Sequence, residues 1–259
     1  MKLLIKELAD ELIQAEKSCE GIPSFTERYP NLSVLDAYNV QLEIVGRKIE
    51  QGHKVIGKKV GLTSIAMQQM LGVNEPDYGH LLDDMKIENG IAISVDAFVS
   101  PKVEAEIGFI LAEDLSGPNI TYVDVLMATK YIVPTLEIID SRIADWKIKL
   151  ADTVADNGSS AKVVIGDTFS TIDKVDLRTT GMTLYKNNSL IATGAGAAAL
   201  GHPAQAIAWL ANKLYEFNIV LKADELILPG ALSGAVSVTS NDVIEADFGS
   251  LGSVSIKFI

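Results

Sequence analysis

Cysteine and basic residues are scarce in this sequence. Cys19 is the single cysteine among 259 residues, which excludes an intrachain disulfide and a cysteine-rich zinc site. Lysine and arginine number 22 against 34 aspartate and glutamate residues, a formal net charge of -12. This charge repels phosphate backbones and no basic stripe offsets it, so we expect no nucleic-acid binding. The single thiol fits a reducing compartment, and we expect a cytoplasmic protein.

Long apolar runs are missing as well. The opening residues, MKLLIKELADELIQAE, place charges among the leucines and do not form the apolar core of a signal peptide. No later window of about 18 apolar residues could cross a membrane. Neither a Pro/Ser-rich linker nor an internal repeat divides the chain. We therefore expect no export and no membrane insertion, and one catalytic domain over residues 1–259.

The spacing of apolar residues changes along the chain. Helical spacing in 3–16 and 33–52 predicts a helical lead-in over residues 1–52. From residue 53 to 259, Val/Ile-rich runs between Gly, Asp and Asn predict a β-rich body, in which Pro203 opens one long late helix. The predicted strands are 54–62, 104–111, 131–139, 161–167, 182–187, 226–230, 243–249 and 253–258. The expected fold class is α+β, with the helical segment packed on the β-rich body.

Two glutamates stand in the apolar run SPKVEAEIGFIL, residues 100–111. Side chains alternate between the faces of a strand, so Glu104 and Glu106 point together, away from Val103 and Ala105. Their Cα atoms are roughly 6.6 Å apart in a strand. Like charges this close disfavour joint ionisation unless a cation intervenes. The pair predicts a divalent metal site, although an edge strand with a solvated acidic face fits the same spacing.

A third glutamate, Glu137, lies in the apolar run YIVPTLEII and shares a strand face with Thr135 and Ile139. It could complete a cage of three carboxylates. Oxygen ligands suit Mg²⁺ or Mn²⁺, and the lack of a His/Cys cluster argues against zinc and redox iron. Asp140 and Arg142, just beyond, favour a structural ion pair or a turn.

The run HKVIGKKVGLTS carries two lysines on opposite strand faces. Gly57 and Gly61 flank Lys59 and predict open space around it. A lysine beside a metal and partly removed from water can have a lowered pKa and transfer protons. Composition alone instead favours Lys58 and Lys59 as ordinary surface residues.

Two other catalytic patterns fail on context. GAGAAA, residues 194–199, satisfies a dinucleotide-binding pattern, but Gly-His-Pro at 201–203 interrupts the required helix and no βαβ unit follows. A tight glycine loop that lines the site with backbone N–H groups is the better interpretation. His53, His80 and His202 are widely spaced and no G-x-S-x-G elbow occurs, which argues against a serine triad.

Six segments, in this order, resemble the 2-keto-4-pentenoate hydratase and 4-oxalocrotonate decarboxylase family of the fumarylacetoacetate-hydrolase-like superfamily: IGKKVGLTS, MLGVNEPDYGHLLDDM, PKVEAEIGFIL, PTLEIIDSRIADWKIKLADTVADN, GAGAAALGHP and GSLGSVSIKFI. The resemblance covers essentially the whole chain. It implies the mixed β-sandwich or roll of that superfamily and a homo-oligomer. It also implies Mg²⁺ or Mn²⁺ held by Glu104, Glu106 and Glu137.

The resemblance further implies three residues near the substrate. They are Lys59, Asp77 of the P-D-Y-G turn, and Ser159 after A-D-N. Gly158 departs from the alanine expected in many relatives but leaves Ser159 in place. The presence of the full set argues against a non-catalytic oligomeric ligand-binding protein, the alternative from another class.

The implied activity is that of a lyase in the meta-cleavage catabolism of aromatic compounds. Its substrate would be a small 2-oxo acid, whose enolate a metal stabilises. NEPDYGHLLDDM and DWKIKLADTVADN favour hydration of 2-hydroxypenta-2,4-dienoate to 4-hydroxy-2-oxopentanoate, whereas VDLRT and LGHP also occur in the decarboxylases. Decarboxylation of 2-oxohex-3-enedioate therefore stays open.

The surroundings of two kinds of residue, histidine and arginine, help to choose among the activities of the superfamily. C–C-bond hydrolysis fits less well, because His53 lacks the glutamate partner on which the hydrolases of the superfamily depend. A second substrate carboxylate would need its own cation. The motifs offer no spare arginine, unless Arg142 or Arg178 folds back into the site.

Overall fold

Helices occupy most of the first fifty residues and strands much of the remainder in the computed structural model, which describes residues 2–259 apart from the side chains of residues 70 and 71. The helices are α1 (Lys2–Ser18), α2 (Phe25–Arg28), α3 (Val34–Glu50), α4 (Ile65–Leu71), α5 (Tyr122–Met127), α6 (Leu150–Ala155) and α7 (Pro203–Tyr215). The strands are β1 (Val55–Gly61), β2 (Asp77–Leu82), β3 (Lys86–Glu88), β4 (Ala92–Ile93), β5 (Pro101–Leu111), β6 (Thr129–Asp140), β7 (Ser160–Ile165), β8 (Gly181–Lys186), β9 (Ser189–Ala195), β10 (Leu226–Leu228), β11 (Val236–Ser237), β12 (Val243–Asp247) and β13 (Ser253–Phe258). The predicted α+β class is confirmed.

The N-terminal helices form as their sequence predicts. Ser33 and Asp36 cap α3 reciprocally, because each side chain binds the backbone N–H of the other. The apolar faces of α1 and α3 bury Leu8, Leu12 and Val40 in the main core. Burial of these faces, more than helix propensity, holds the segment on the β-rich part of the chain.

One large sheet positions the candidate site. Its strand order is β2-β1-β10-β5-β6-β7-β3, and β11 pairs with β5 outside this path. The long strands β5 and β6 are antiparallel neighbours, and their register sets Glu104 directly opposite Glu137. The second sheet has the order β4-β13-β12-β8-β9. The central position of β5, between β10 and β6, excludes the edge-strand interpretation of its two glutamates.

Sequence patterns located the strands rich in Val and Ile and missed others. All eight predicted strands are present, and β2, β3, β4, β9 and β11 were not predicted. The sequence of β2, DYGHLL, contains no β-branched residue, although every one of its residues is buried. The strands β4 and β11 have two residues each, too few for a periodic signal. The predicted late helix is confirmed as α7, which begins at Pro203.

His80 fixes β2 against α3 from within the core. Its Nδ1 lies 3.0 Å from Oε1 of Gln41, whose amide nitrogen donates to the carbonyl oxygens of Tyr78 and Val154. Burial, and then the charge of Lys58, lower the pKa of His80 to about 3. The imidazole is therefore neutral at physiological pH.

We expect His80 to make the fold sensitive to mild acid. Its pKa lies below the usual value of 6.5, so its contribution to stability is complete above about pH 6.5 and is lost as the pH falls toward 3. In His80→Gln, the free energy of unfolding from urea titrations should fall less between pH 7 and pH 5 than in the wild type. The two proteins should show parallel pH dependence above pH 8. An equal fall below pH 7 would contradict the buried neutral state.

Candidate active site

Three glutamates converge at the middle of the large sheet. Glu104 and Glu106 lie on one face of β5, and Glu137 projects from β6 beside them. Each residue has a carboxylate oxygen within 4.8 Å of those of the other two. Glu106 and Glu137 are buried, and Glu104 is partly exposed. The predicted common face of the first two carboxylates is present, and the strand pairing adds the third.

The oxygen atoms of this cluster are largely free of partners. Oε2 of Glu106 accepts the backbone N–H of Gly230 at 2.7 Å. Oε1 of Glu106 and both carboxylate oxygens of Glu137 accept no hydrogen bond among the described residues. Buried oxygens without donors are costly, and a cation that they coordinate would remove that cost. A cluster of carboxylate oxygens alone fits Mg²⁺ or Mn²⁺.

Burial and mutual repulsion raise the pKa values of glutamates in the cluster. Burial, followed by the charge of Glu137, raises the pKa of Glu104 to about 7. Burial and the same neighbour raise the pKa of Glu106 well above its usual range. Without a cation, Glu106 favours the neutral form and Glu104 is shifted toward it, and a divalent ion would favour the ionised form of both.

The Lys59 ammonium reaches the cluster from β1. Its Nζ donates to the carbonyl oxygen of Gly158 at 2.9 Å and lies 3.6 Å from Oε2 of Glu137. Burial lowers the pKa of Lys59, but the charges of Glu137 and then Asp77 outweigh burial, and the pKa is raised. This direction is opposite to the lowered pKa that desolvation alone predicts. Lys59 is held as a cation beside the glutamates.

The two neighbouring lysines have different partners. Lys58 is buried, and its Nζ lies 2.7 Å from both carboxylate oxygens of Glu225. Neither lysine is a surface residue, so the interpretation from composition is wrong. The open space predicted around Lys59 is wrong too, because a Cβ at Gly61 would lie 2.1 Å from Oδ1 of Asp77. Gly61 instead lets the Asp77 carboxylate approach the strand.

Asp77 and Ser159, for which the family resemblance implies a place near the substrate, lie near each other. Oγ1 of Thr153 donates to Oδ2 of Asp77 at 3.3 Å and lies 3.4 Å from Oγ of Ser159. Oδ1 of Asp77 accepts no hydrogen bond among the described side chains. Burial raises the pKa of Asp77, while the Lys59 charge lowers it, and the net direction is upward. Thr153, which the sequence did not single out, thus links the two.

A left-handed turn carries Ser159. Asn157, Gly158 and Ser159 have φ values of 56°, 61° and 54°. The Asn157 amide secures the turn, since its Oδ1 accepts the backbone N–H of His80 at 2.7 Å and its Nδ2 donates to the His80 carbonyl oxygen at 2.9 Å. A Cβ at Gly158 would lie 3.3 Å from Cδ of Lys59. Asn and Gly tolerate this conformation, which is the signal that could have identified the turn.

A cavity of about 530 Å³ opens above these groups. Its polar lining includes Lys59, Asp77, Lys102, Glu104, Thr153 and Ser159. Much of the rest is apolar, with Ile139, Trp146, Ile148 and Leu232 among the lining residues. Ala198 of the glycine-rich stretch also lines the cavity, whereas Lys102 and Trp146 were not expected from the sequence. A small ligand could therefore contact the glutamate cluster and an apolar wall together.

Several residues weighed from the sequence lie elsewhere. Arg142 is buried, and its Nε donates to Oδ1 of Asp156 at 2.6 Å. The Asp140 carboxylate accepts hydrogen bonds from the backbone N–H groups of Val99 and Ser100. Asp140 and Arg142 therefore both have structural roles, as predicted, but their side chains do not form an ion pair with each other. Neither Arg142 nor the exposed Arg178 lines the cavity.

His53 also lies outside the cavity. Its Nδ1 is 3.1 Å from Oδ1 of Asp83, so it has an acidic neighbour that the sequence did not predict, an aspartate and not a glutamate. The pair is partly exposed and contributes nothing to the lining around the three glutamates.

Comparison with known proteins places this chain in a family. The model of the fumarylacetoacetate (FAA) hydrolase C-terminal region matches residues 56–258. The chain belongs to the fumarylacetoacetate hydrolase family. One relative in sequence is 2-keto-4-pentenoate hydratase of Paraburkholderia xenovorans LB400, 45% identical over 253 residues, which are 98% of this chain and 94% of the relative. Another is 4-oxalocrotonate decarboxylase of Pseudomonas sp. CF600, 41% identical over 97% of this chain and 96% of the relative.

A solved structure supports the fold of this fumarylacetoacetate hydrolase family member. The structure of 4-oxalocrotonate decarboxylase from Pseudomonas putida G7, complexed with magnesium and adipate, superposes with a TM-score of 0.98. The two chains are 38% identical, and the alignment covers 100% of this chain and 98% of the other. The predicted fumarylacetoacetate-hydrolase-like fold is confirmed. Within residues 2–259, no helix combines the length and apolarity that a membrane span requires.

Proposed function

We propose that this chain is a metal-dependent hydratase of small 2-oxo acids, which converts 2-hydroxypenta-2,4-dienoate to 4-hydroxy-2-oxopentanoate in aromatic catabolism. The observation that carries the proposal is the three-glutamate cluster next to a buried lysine and an apolar-walled cavity. The 45% identity to a 2-keto-4-pentenoate hydratase supports the substrate class.

Glu104, Glu106 and Glu137 would hold the metal, Mg²⁺ or Mn²⁺. When bound, such an ion supplies Lewis acidity that favours the enolate form of a 2-oxo acid. The unpartnered oxygens of Glu106 and Glu137 are the donors that this role requires. The magnesium in the similar decarboxylase structure is consistent with the choice of metal.

Lys59, Asp77 and Ser159 would act on the substrate directly. The Lys59 ammonium, held by the Gly158 carbonyl oxygen, can donate a hydrogen bond to a substrate oxygen near Glu137. Asp77 has a free Oδ1 and a raised pKa, so it can hold a proton and deliver it to carbon. The Ser159 hydroxyl can orient the water that adds to the resulting unsaturated ketone.

Decarboxylation of 2-oxohex-3-enedioate is the second candidate function. Identity to a decarboxylase is almost as high, at 41%, and the similar decarboxylase structure carries a dicarboxylate, adipate. Both reactions pass through the same enolate, so the glutamate cluster does not separate them. The two reactions differ at the tail of the substrate, which loses a carboxylate as CO₂ in decarboxylation and gains water in hydration.

The two activities can be compared directly. We expect kcat/KM for hydration of 2-hydroxypenta-2,4-dienoate to exceed kcat/KM for decarboxylation of 2-oxohex-3-enedioate in one Mg²⁺-loaded preparation. Loss of dienol absorbance follows the first reaction, and CO₂ release follows the second. A ratio well below one would assign the chain to the decarboxylases, and no turnover in either assay would contradict both.

We also propose a cytoplasmic homo-oligomer. The single cysteine, Cys19, fits a reducing compartment, and the resemblance to the hydratase and decarboxylase family favours assembly. Light scattering coupled to size-exclusion chromatography would give the subunit number. A mass of about 27.8 kDa, that of one chain, would contradict the oligomer.

A further inference from the structure

Lys102 is a cation in the cavity to which the proposed reaction assigns no role. It lies on β5 two residues before Glu104, and its cross-strand neighbour on β6 is Ile139. Its Nζ lies 4.1 Å from the centroid of the Trp146 indole ring. Lys102, Trp146 and Ile139 all line the cavity. The ammonium group therefore faces the same space as the glutamate cluster.

The pairing of Lys102 differs from that of Lys59. Within residues 2–259, no carboxylate oxygen lies within 4.0 Å of Lys102 Nζ, whereas Lys59 contacts both Glu137 and the Gly158 carbonyl oxygen. A cation partly removed from water is stabilised by an aromatic face, but it still favours an anion. Lys102 thus has unused capacity to bind a negative group inside the cavity.

The Trp146 ring is held in place beneath this lysine. Its Nε1 donates to the carbonyl oxygen of Ser100 at 3.0 Å. Asp145 and Trp146 have φ values of 58° and 55°, a conformation that is strained for a residue with a side chain. Such strain persists where the surrounding structure requires it. The hydrogen bond to Ser100 orients the indole ring, and the Lys102 ammonium lies against that ring.

We propose that Lys102 selects dicarboxylic over monocarboxylic 2-oxo acids, because its ammonium group binds the carboxylate at the far end of the ligand. This inference rests on the proposed function, because it assumes that the 2-oxo-acid end of the ligand meets the cluster of Glu104, Glu106 and Glu137. Lys102 and Glu104 are two residues apart on β5, share one face of the strand and line the same cavity. A ligand whose 2-oxo-acid end reaches the cluster can therefore meet Lys102 with its other end.

Lys102 also supplies the cation that, according to the sequence, a second substrate carboxylate would need. A second carboxylate entering beside three glutamates needs a dedicated cation, and neither Arg142 nor Arg178 reaches the cavity. Lys102 meets the requirement at the cavity wall. Monocarboxylates would place their short apolar tail beside Ile139 and Ile148 and would not depend on the lysine.

A matched pair of unreactive ligands tests the assignment. 2-Oxoadipate and 2-oxohexanoate share the 2-oxo-acid end and differ in whether the tail ends in a carboxylate or a methyl group. In calorimetry with the Mg²⁺-loaded wild type, 2-oxoadipate should bind at least about 10-fold more tightly, as a charged hydrogen bond provides. Lys102→Gln should lose this preference and keep its affinity for 2-oxohexanoate. Lys102→Arg, which preserves the charge, should retain the preference.

The other outcomes separate this inference from the proposed function. The control variant Lys257→Gln removes an exposed lysine of β13 that does not line the cavity, and it should bind both ligands as the wild type does. Equal affinity of the wild type for the two ligands, or an equal loss for both in Lys102→Gln, would overturn the role of Lys102 and leave the hydratase proposal intact. Binding of neither ligand by the wild type would overturn the proposed function as well.

Discussion

Glu106→Gln is expected to weaken Mg²⁺ binding by more than roughly 100-fold, since even residues that only support metal ligands are worth about 10- to 100-fold in affinity. The change keeps the shape of the side chain and its contact with the Gly230 N–H but removes the charge. Glu104→Gln should act in the same direction. Isothermal titration calorimetry with Mg²⁺ measures the affinity, and the dienol assay should lose activity in parallel.

The metal-free variants provide a check on folding. Without a cation the Glu106 carboxyl favours the neutral form, which glutamine resembles, so metal-free Glu106→Gln should be at least as stable to heat as metal-free wild type. Glu245→Gln, an exposed change on β12, is the matched control and should leave Mg²⁺ affinity unchanged. Unchanged affinity in both Glu106→Gln and Glu104→Gln would show that the cluster is not the metal site.

Lys59→Met should lower kcat by a factor on the order of 10² or more, as expected for loss of a positioned acid–base or hydrogen-bonding group. The Lys59 ammonium lies between Glu137 and the Gly158 carbonyl oxygen, within the lining of the cavity. Methionine fills similar volume without the charge. Steady-state kinetics at saturating Mg²⁺ isolates this effect from any change in metal affinity.

Lys58→Met is the contrasting variant. It leaves Glu225 without its buried partner, which should cost about 3–5 kcal/mol of unfolding free energy, measured by urea titration. Its kcat should stay near the wild-type value at temperatures where it remains folded, because Lys58 does not line the cavity. Equal kinetic damage from Lys58→Met with none from Lys59→Met would reverse the two roles.

Local spacing predicted the parts of the site that lie along one strand. The E-x-E spacing placed Glu104 and Glu106 on one face, and Pro203 marked the start of α7, because period and capping are local properties. The approach of Glu137 to Glu104 depends on the register of β5 and β6, which no single strand encodes. The resemblance to a known family, and not spacing, led to Asp77 and Ser159.

Other parts of the site depend on contacts that are distant in sequence. No local pattern distinguishes Lys102 from a surface lysine, because its contact with the Trp146 ring forms only in the folded chain. The raised pKa of Lys59 reflects charges brought from three other strands, β2, β5 and β6. Burial alone would lower the pKa, and the sequence does not reveal whether burial or these charges have the larger effect.

The pairing of β5 with β6 bears on whether the chain needs its metal ion to fold. Eleven residue pairs join these two strands, and the main-chain hydrogen bonds of such a ladder do not involve an ion. Lys59 offsets part of the negative charge from within the same chain. Small metal domains fold only when loaded, because the ion supplies their folding energy. Here the backbone supplies it, so the ion should be an exchangeable reagent that a chelator can remove and a different divalent metal can replace while the chain stays folded.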